Sequence, residues 1–344
     1  MLGDMVMSKI VLLPLEPLEM RYTKQWRKWF IDYLTEKGYE YLVVDGETLT
    51  GDVIEHGFVL DAFGTNYWKM TQWSNFIKFW RRGDIRDGDV VIDFDLWHPG
   101  LEIVPYIEAI VKKRIHYYGF LHAGTYDISD FTYLSGMGKW GRDLEVSWFK
   151  RVDGIFVGSE YHKEIVLRSF GDLVEGKVHV TGGPFKVSDV RRSVEGLSNK
   201  RDNIIVFTSR LDKEKRPWIA DEIAERSGFK IVKTHELKLN KMNYYKLLAG
   251  CKVSLSTAIH ENWGIGIIES MALGTVPIVP DGLSYRDYVP WEFRYRSVDE
   301  AVELVESFMG YEWKSGEDRF GLIKYISKYE DSVERMVKIA TQDI

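Results

Sequence analysis

The feature that most constrains this chain is an alternation. Short apolar runs ending in turn residues are separated by amphipathic stretches of helical length, the pattern of parallel strands joined by crossover helices. Strands are expected near 9–15, 40–45, 89–94, 115–121, 154–158 and 177–181, with helices over much of 22–37, 101–112 and 160–169. A polar segment, Ser188 to Asp202, interrupts the series before it restarts at Asn203-Ile-Ile-Val-Phe-Thr208. The second series predicts strands near 203–208, 229–233, 252–256 and 276–279, and helices near 216–227, 242–249 and 265–273. At 344 residues the chain is too long for one compact core, so the polar break reads as a domain boundary. The expected fold class is α/β, with two facing Rossmann-like domains and a cleft between them. The divisions are 1–187, a linker over 188–202, a second domain over 203–310, and C-terminal helices over 311–344 that pack back across the linker.

Composition narrows the partners. The formal charge is −6 and neither half is basic, which argues against a broad electrostatic footprint for nucleic acid. Local basic clusters occur at Lys78, Arg81, Arg82 and Arg86 and at Lys112, Lys113 and Arg114, where solvated faces are the plainer reading. The single cysteine, Cys251, excludes an internal disulfide framework and a thiolate metal cluster, and it falls in an expected buried strand. The apolar run Ile10 to Leu15 is too short for a signal-peptide core or a membrane span, so a cytoplasmic protein is expected, in a host cytoplasm if viral.

Two segments carry chemistry. In Thr208-Ser-Arg-Leu-Asp-Lys-Glu-Lys-Arg-Pro217 a strand ends and a helix begins, and open α/β sheets bind ligands at the carboxyl ends of their strands. Arg210 and Lys215 leave this turn beside a helix N-terminus, giving two cations and a positive dipole for a diphosphate, and both are expected to face solvent. The second segment is His260-Glu-Asn-Trp-Gly-Ile-Gly-Ile-Ile-Glu-Ser-Met-Ala-Leu-Gly274. Glu261 precedes a glycine-containing turn, and Glu269 lies in an apolar helix where a carboxylate is costly to bury without partners, which ribose hydroxyls would supply. Gly264, Ile265 and Gly266 open that helix, with the glycines expected to let the backbone approach a ligand and offer amides to phosphate.

Arg210 and Lys215 at this spacing, followed by Glu261, Gly264 and Glu269, resemble the donor site of retaining GT-B glycosyltransferases, the group typified by sucrose and trehalose-phosphate synthases and bacterial mannosyltransferases. The resemblance covers about residues 203–290. It implies a nucleotide-sugar donor, with a UDP-hexose such as UDP-glucose as the default. Arg210 and Lys215 would hold the diphosphate, Glu269 the ribose, and Glu261 the donor sugar near its reacting carbon. It also implies the acceptor on the N-terminal domain, no cofactor and no metal. The chain departs from the family pattern at Trp263, where Phe is more common, and at Pro14-Leu-Glu-Pro-Leu-Glu-Met-Arg-Tyr-Thr-Lys-Gln-Trp26, which replaces the usual glycine-rich loop.

In the N-terminal half, Phe120-Leu-His-Ala-Gly-Thr-Tyr-Asp127 ends a predicted strand, and His122 stands where the family commonly has a histidine at the reaction centre. Asp93-Phe-Asp95 with His98 is similar to the metal-binding pair of the other glycosyltransferase fold, but arginine and lysine would already neutralise the diphosphate. Asp93, Asp95 and His98 are therefore expected at a strand end facing the cleft, as acceptor contacts alongside Glu16, Arg21, Tyr126 and Asp127. Ser256 to Glu261 and Pro280 to Tyr285 resemble the queuosine-tRNA mannosyltransferase branch, and the opening segment resembles glycosyltransferase-like proteins of DNA-hypermodifying phages. On that resemblance the partner is DNA carrying a hydroxymethylated base, with a glycan, lipid or small-molecule acceptor as the alternative. A non-catalytic nucleotide-sugar-binding module remains open. A nicotinamide oxidoreductase is disfavoured because no glycine-rich fingerprint follows an early strand.

Overall fold

The computed structural model describes residues 8–18, 21–49, 61–197 and 199–342. Glu19 and Met20 of the opening segment and Ser198 of the linker lie outside them. The first sheet uses β1 (Ile10–Leu13), β2 (Tyr41–Val43), β3 (Val90–Asp93), β4 (His116–Phe120), β5 (Gly154–Val157) and β6 (Val178–Val180) in the order β2-β1-β3-β4-β5-β6, with every pairing parallel. The second uses β7 (Asp202–Phe207), β8 (Lys230–Lys233), β9 (Cys251–Leu255), β10 (Val276–Pro280) and β11 (Arg294–Tyr295) in the order β11-β10-β9-β7-β8, also parallel. The α/β class and the two Rossmann-like sheets are as the sequence indicated.

Helices cover both faces of the first sheet. They are α1 (Tyr22–Lys37), α2 (Ala62–Arg82), α3 (Ile103–Val111), α4 (Phe131–Leu134), α5 (Gly141–Arg151) and α6 (Glu160–Phe170). α1 turns Trp26, Trp29, Phe30 and Leu34 inward at helical spacing and stops at Gly38, whose φ of 74° is a left-handed conformation that glycine adopts freely. α2, which the strand-and-helix pattern missed, buries Trp68, Gln72, Trp73, Phe76 and Trp80, one face at four-residue steps. Gly64, Thr65 and Asn66 at its start have low helix propensity and masked that signal. The cap is supplied by Asp61, whose carboxylate accepts from the amides of Phe63 and Gly64 at 3.0 Å.

The polar segment is not an extended linker. Its first turns form α7 (Val187–Arg192), Val190 and Val194 are buried, and Arg201 is 1% exposed. Arg201 donates to Cys251 O and Thr275 Oγ1, both at 2.8 Å, so the crossing is pinned from inside. Beyond it lie α8 (Pro217–Ser227), α9 (Lys241–Gly250), α10 (Ile265–Ala272), α11 (Val298–Met309), α12 (Ile323–Ile326) and α13 (Ser332–Thr341). α13 packs against α1, β3 and β4, and Arg335 donates to Thr181 O at 2.6 Å.

Because β1 is buried on both faces, its alternate residues feed different cores. Val11 and Leu13 join Trp73, Phe76 and Trp148, whereas Ile10 and Leu12 join Trp26, Phe30 and Phe156. The second cluster continues through Phe185, Val187, Trp263 and Tyr329 into the core of the other sheet. Apolar packing therefore holds the two sheets together directly behind the cleft.

Candidate functional site

The carboxyl ends of both sheets face one another, and each wall has its own chemistry. On the second-domain wall, β7 delivers Arg210 and the turn before α8 delivers Lys215. Arg210 pairs with Asp212 at 2.8 Å and Glu214 at 3.1 Å. Lys215 is 6% exposed, so the expectation that it faces solvent is corrected: its ammonium donates to His260 O at 2.5 Å and to Glu261 at 3.1 Å. An ammonium has three donors, and these two bonds leave one. Burial works to raise the Glu261 carboxyl, but Lys215, His260 and the Gly264 amide outweigh it and hold it below the usual carboxylate range.

The turn into α10 also differs from expectation. Gly264 has φ 72°, and a Cβ there would meet the Tyr288 hydroxyl at 2.4 Å, so glycine is required by the backbone and by space. Its amide is not offered to a ligand, because it donates to Glu261 Oε1 at 2.9 Å. Gly266 serves packing, since a Cβ there would meet Thr208 Oγ1 at 2.5 Å. Ile265 and Gly266 are half-buried, and their first-turn amides have no helical carbonyl within reach.

Glu269 is 2% exposed and already has partners from its own chain, which corrects the reading that a ligand must supply them. Lys241 forms an ion pair with it, and the Tyr245 hydroxyl donates to it at 3.1 Å. Tyr245 is in turn 2.9 Å from Gln25 Nε2, on the other domain. Lys241 and Tyr245 were missed by sequence reasoning, although their four-residue separation puts them on one face of α9.

On the first-domain wall, His122 lies over Trp26 with ring centroids 5.3 Å apart and planes 22° from parallel. Its Nε2 is 2.8 Å from Phe94 O. A carbonyl only accepts, so Nε2 carries the proton and Nδ1, 3.5 Å from the Tyr22 hydroxyl, is the acceptor. Burial lowers the affinity of His122 for a second proton, against the pull of Asp95. Asp95 is half-buried, which works to raise its carboxyl, but Lys69 at 2.8 Å and His122 keep it below the ordinary range. Arg21 has Arg210, Asp95 and Glu16 as charged neighbours, and Glu16 O accepts from Thr23 Oγ1 at 2.6 Å, which fixes the entry into α1.

Of the Asp93, Asp95 and His98 group, two members turn away from the cleft. Asp93 and His98 are 1% and 2% exposed, 2.9 Å apart, and Asp93 also accepts from the Tyr117 hydroxyl at 2.7 Å. This pair is core, placed there because Asp93 is the last residue of a strand buried on both faces. Tyr126 likewise turns inward, its hydroxyl 2.5 Å from His162 Nε2.

Asp127 bridges the walls, 3.1 Å from His260 Nε2. Asn262, which the sequence did not single out, donates to His122 O at 2.9 Å, and its own carbonyl accepts from Ser159 Oγ at 2.5 Å. The site therefore joins Arg21, Asp95, His122 and Asp127 from one domain to Arg210, Lys215, His260 and Glu261 from the other. The basic clusters take no part in it. α2 ends at Arg82 and α3 at Val111, at the opposite edge of the sheet, where Arg82 pairs with Asp84, Arg86 with Glu40 and Arg114 with Asp153.

Two parallel sheets meeting at their carboxyl ends, with a C-terminal helix returned to the first, define the GT-B class of fold. No protein-family model matches the chain. Among solved structures it is similar to a sucrose-phosphate synthase from Thermosynechococcus elongatus, over 97% of this chain and 98% of that one, with TM-score 0.68 and 12% identity. It is also similar to a trehalose-6-phosphate synthase over 98% and 100% (TM-score 0.65, 12% identity). A UDP-forming trehalose-phosphate synthase from Burkholderia xenovorans matches over 98% and 99% (TM-score 0.64, 10% identity). At such identities the likeness concerns the fold.

Proposed function

We propose that this chain is a metal-independent, retaining glycosyltransferase that moves a sugar from a nucleotide diphosphate to a hydroxyl. One observation carries the reading. Arg210, Lys215, Glu261 and the first turn of α10 converge at the carboxyl ends of one parallel sheet, opposite His122 on the other. In the reaction the bond from the sugar's C1 to the diphosphate oxygen breaks, the acceptor oxygen bonds to C1 on the same face, and the hydroxyl proton is lost to a phosphate oxygen. Negative charge grows on the departing diphosphate. Arg210, the remaining Lys215 donor and the amides of Ile265 and Gly266 are set to meet it, and such preorganised donors are typically the largest contribution to rate. Glu269, with Lys241 beside it, takes the ribose, and UDP is the default nucleotide, as in the UDP-forming structural neighbour.

For the acceptor, the preferred substrate is a 5-hydroxymethylpyrimidine in DNA, on the resemblance of the opening segment and of residues 256–285. A base must leave its stack to react, and Ile128, Tyr133, Leu134 and Trp140, all exposed after β4, offer apolar and aromatic surface for it. A glycan or small-molecule acceptor is the second reading, favoured by the position of the basic clusters at the edge away from the cleft. The test has two stages. A thermal-shift screen across nucleotide sugars identifies the donor, since a ligand at about 100 times its Kd stabilises by about 2.7 kcal/mol. Labelled donor is then offered to hydroxymethylated duplex, unmodified duplex and oligosaccharides. Label on hydroxymethylated DNA alone supports the first acceptor reading, and label on sugar chains replaces it with the second.

A further inference from the structure

The loop that carries Glu261 is fastened to the opposite domain by the polar contacts of His260 and Asn262 and by one ring, that of Trp263. Its backbone belongs to the donor wall, for Glu261 Oε1 accepts from the amides of Trp263 at 3.4 Å and Gly264 at 2.9 Å. Its indole belongs to the other wall. The seat is made where β5 and β6 end, by Gly158 and Gly183. A Cβ on Gly158 would stand 2.6 Å from Trp263 Cβ, and one on Gly183 would stand 2.5 and 2.6 Å from the outer ring atoms Cζ3 and Cη2 of Trp263 and 2.8 Å from Cζ2 of Trp26. Real Cβ atoms do not approach so closely, so no residue but glycine fits either place with the indole seated.

The far side of the seat is aromatic. Trp26 meets Trp263 edge to face with centroids 6.0 Å apart, and Tyr329, in the segment leading to α13, does so at 5.8 Å. Trp26 is also the ring on which His122 lies. A short, rigid path therefore runs from Glu261 through the backbone and ring of Trp263 to Trp26 and His122. Trp263 is 8% exposed, and nothing in this path depends on a ligand.

We propose that Trp263 is a positioning residue: its indole, docked on the Gly158–Gly183 floor, sets the register of the donor loop against the His122 wall. When the ring leaves its seat, Glu261 and Lys215 separate from His122 although each wall stays folded. The reaction it positions is the one proposed above. The seat itself is independent of that reading and has its own readout.

The test pairs a cavity with a bump. In Trp263→Ala and Gly183→Ala, small-angle scattering of the whole protein should report a larger radius of gyration, with unchanged far-ultraviolet circular dichroism. Turnover should fall on the order of 10²-fold, as misplacement of about 1 Å does elsewhere, with nucleoside-diphosphate affinity shifted far less. Phenylalanine lacks the outer ring atoms of Trp263 that the Gly183 methyl would strike, whereas Trp26 Cζ2, 2.8 Å from that methyl, stays, so Gly183→Ala with Trp263→Phe should regain part of the compactness and rate lost in Gly183→Ala. Gly158→Ala with Trp263→Phe should not, because that methyl strikes Cβ, which phenylalanine keeps. Wild-type scattering from a folded Trp263→Ala, or equal rescue of both glycine variants, overturns the proposal. If Trp263→Ala does not fold, the two double variants decide. If scattering follows this pattern but no nucleotide sugar is turned over by wild type, the positioning seat stands and the transferase reading fails.

Discussion

The two walls of the cleft solve the burial of polar groups in opposite ways. The second-domain wall is a set of buried or half-buried ion pairs, Arg210 with Glu214, Lys215 with Glu261 and Lys241 with Glu269. The first-domain wall is built mainly of rings, with His122 against Trp26 and Phe120 and Tyr126 against His162, around an ion pair of Lys69 with Asp95. A charged wall keeps its groups ionised by pairing them, whereas an aromatic wall keeps its histidines neutral by drying them.

The largest effect that would break this comparison is expected at Lys215. Lys215→Ala leaves the half-buried Glu261 carboxylate without its cation, and losing one partner of such a pair costs up to about 3–5 kcal/mol. Arg210→Ala, from a side chain 28% exposed, should cost much less in stability, on the order of 1 kcal/mol. Both should lower turnover by about 10²–10³. Urea unfolding beside turnover separates the two, and equal stability losses would show that the wall is not organised by burial.

Next comes Glu269→Ala, which releases Lys241 and Tyr245 and should weaken binding of the bare nucleoside diphosphate by about 1.5–3 kcal/mol, the range for a hydrogen bond to a charged group. Glu261→Ala should reduce turnover more than this affinity. Calorimetry on both variants checks the division of roles, and identical losses would refute it.

A smaller effect distinguishes the walls by pH. Burial lowers the His162 imidazole from 6.5 to about 3, so between those values the unfolded chain binds a proton that the folded chain does not. Its stabilising contribution is whole above pH 6.5 and declines as pH falls toward 3, by about 1.4 kcal/mol per unit. His162→Gln should flatten the stability profile over that window. Glu261 and Asp95, held below the ordinary carboxylate range, contribute fully at higher pH and lose their share only as pH falls through their lowered values. An unaltered slope in His162→Gln would show that the first wall is not dry. Smallest of all, Tyr22→Phe should change stability by less than about 0.5 kcal/mol, because its 3.5 Å contact to His122 is long for a hydrogen bond.

The sequence determined the fold class and much of the second-domain wall, because both are written in local pattern. Parallel strands buried on both faces read as apolar runs, and Arg210, Lys215, Glu261 and Glu269 lie on turns and a helix whose neighbours are close in the chain. Tertiary structure decided what local pattern cannot carry. Whether Asp93 faces a cleft or a core depends on the layer beneath it, and α2 places Trp73 against His98, with ring centroids 4.7 Å apart. That Glu269 has its cation in Lys241, that Asn262 holds His122, and that Trp263 sits on glycines of the other sheet are facts of long-range packing. The physical reason is that backbone pattern is fixed by steric rules a few residues wide, whereas the partner of a buried charge or ring is whichever group the completed fold brings within a few ångströms.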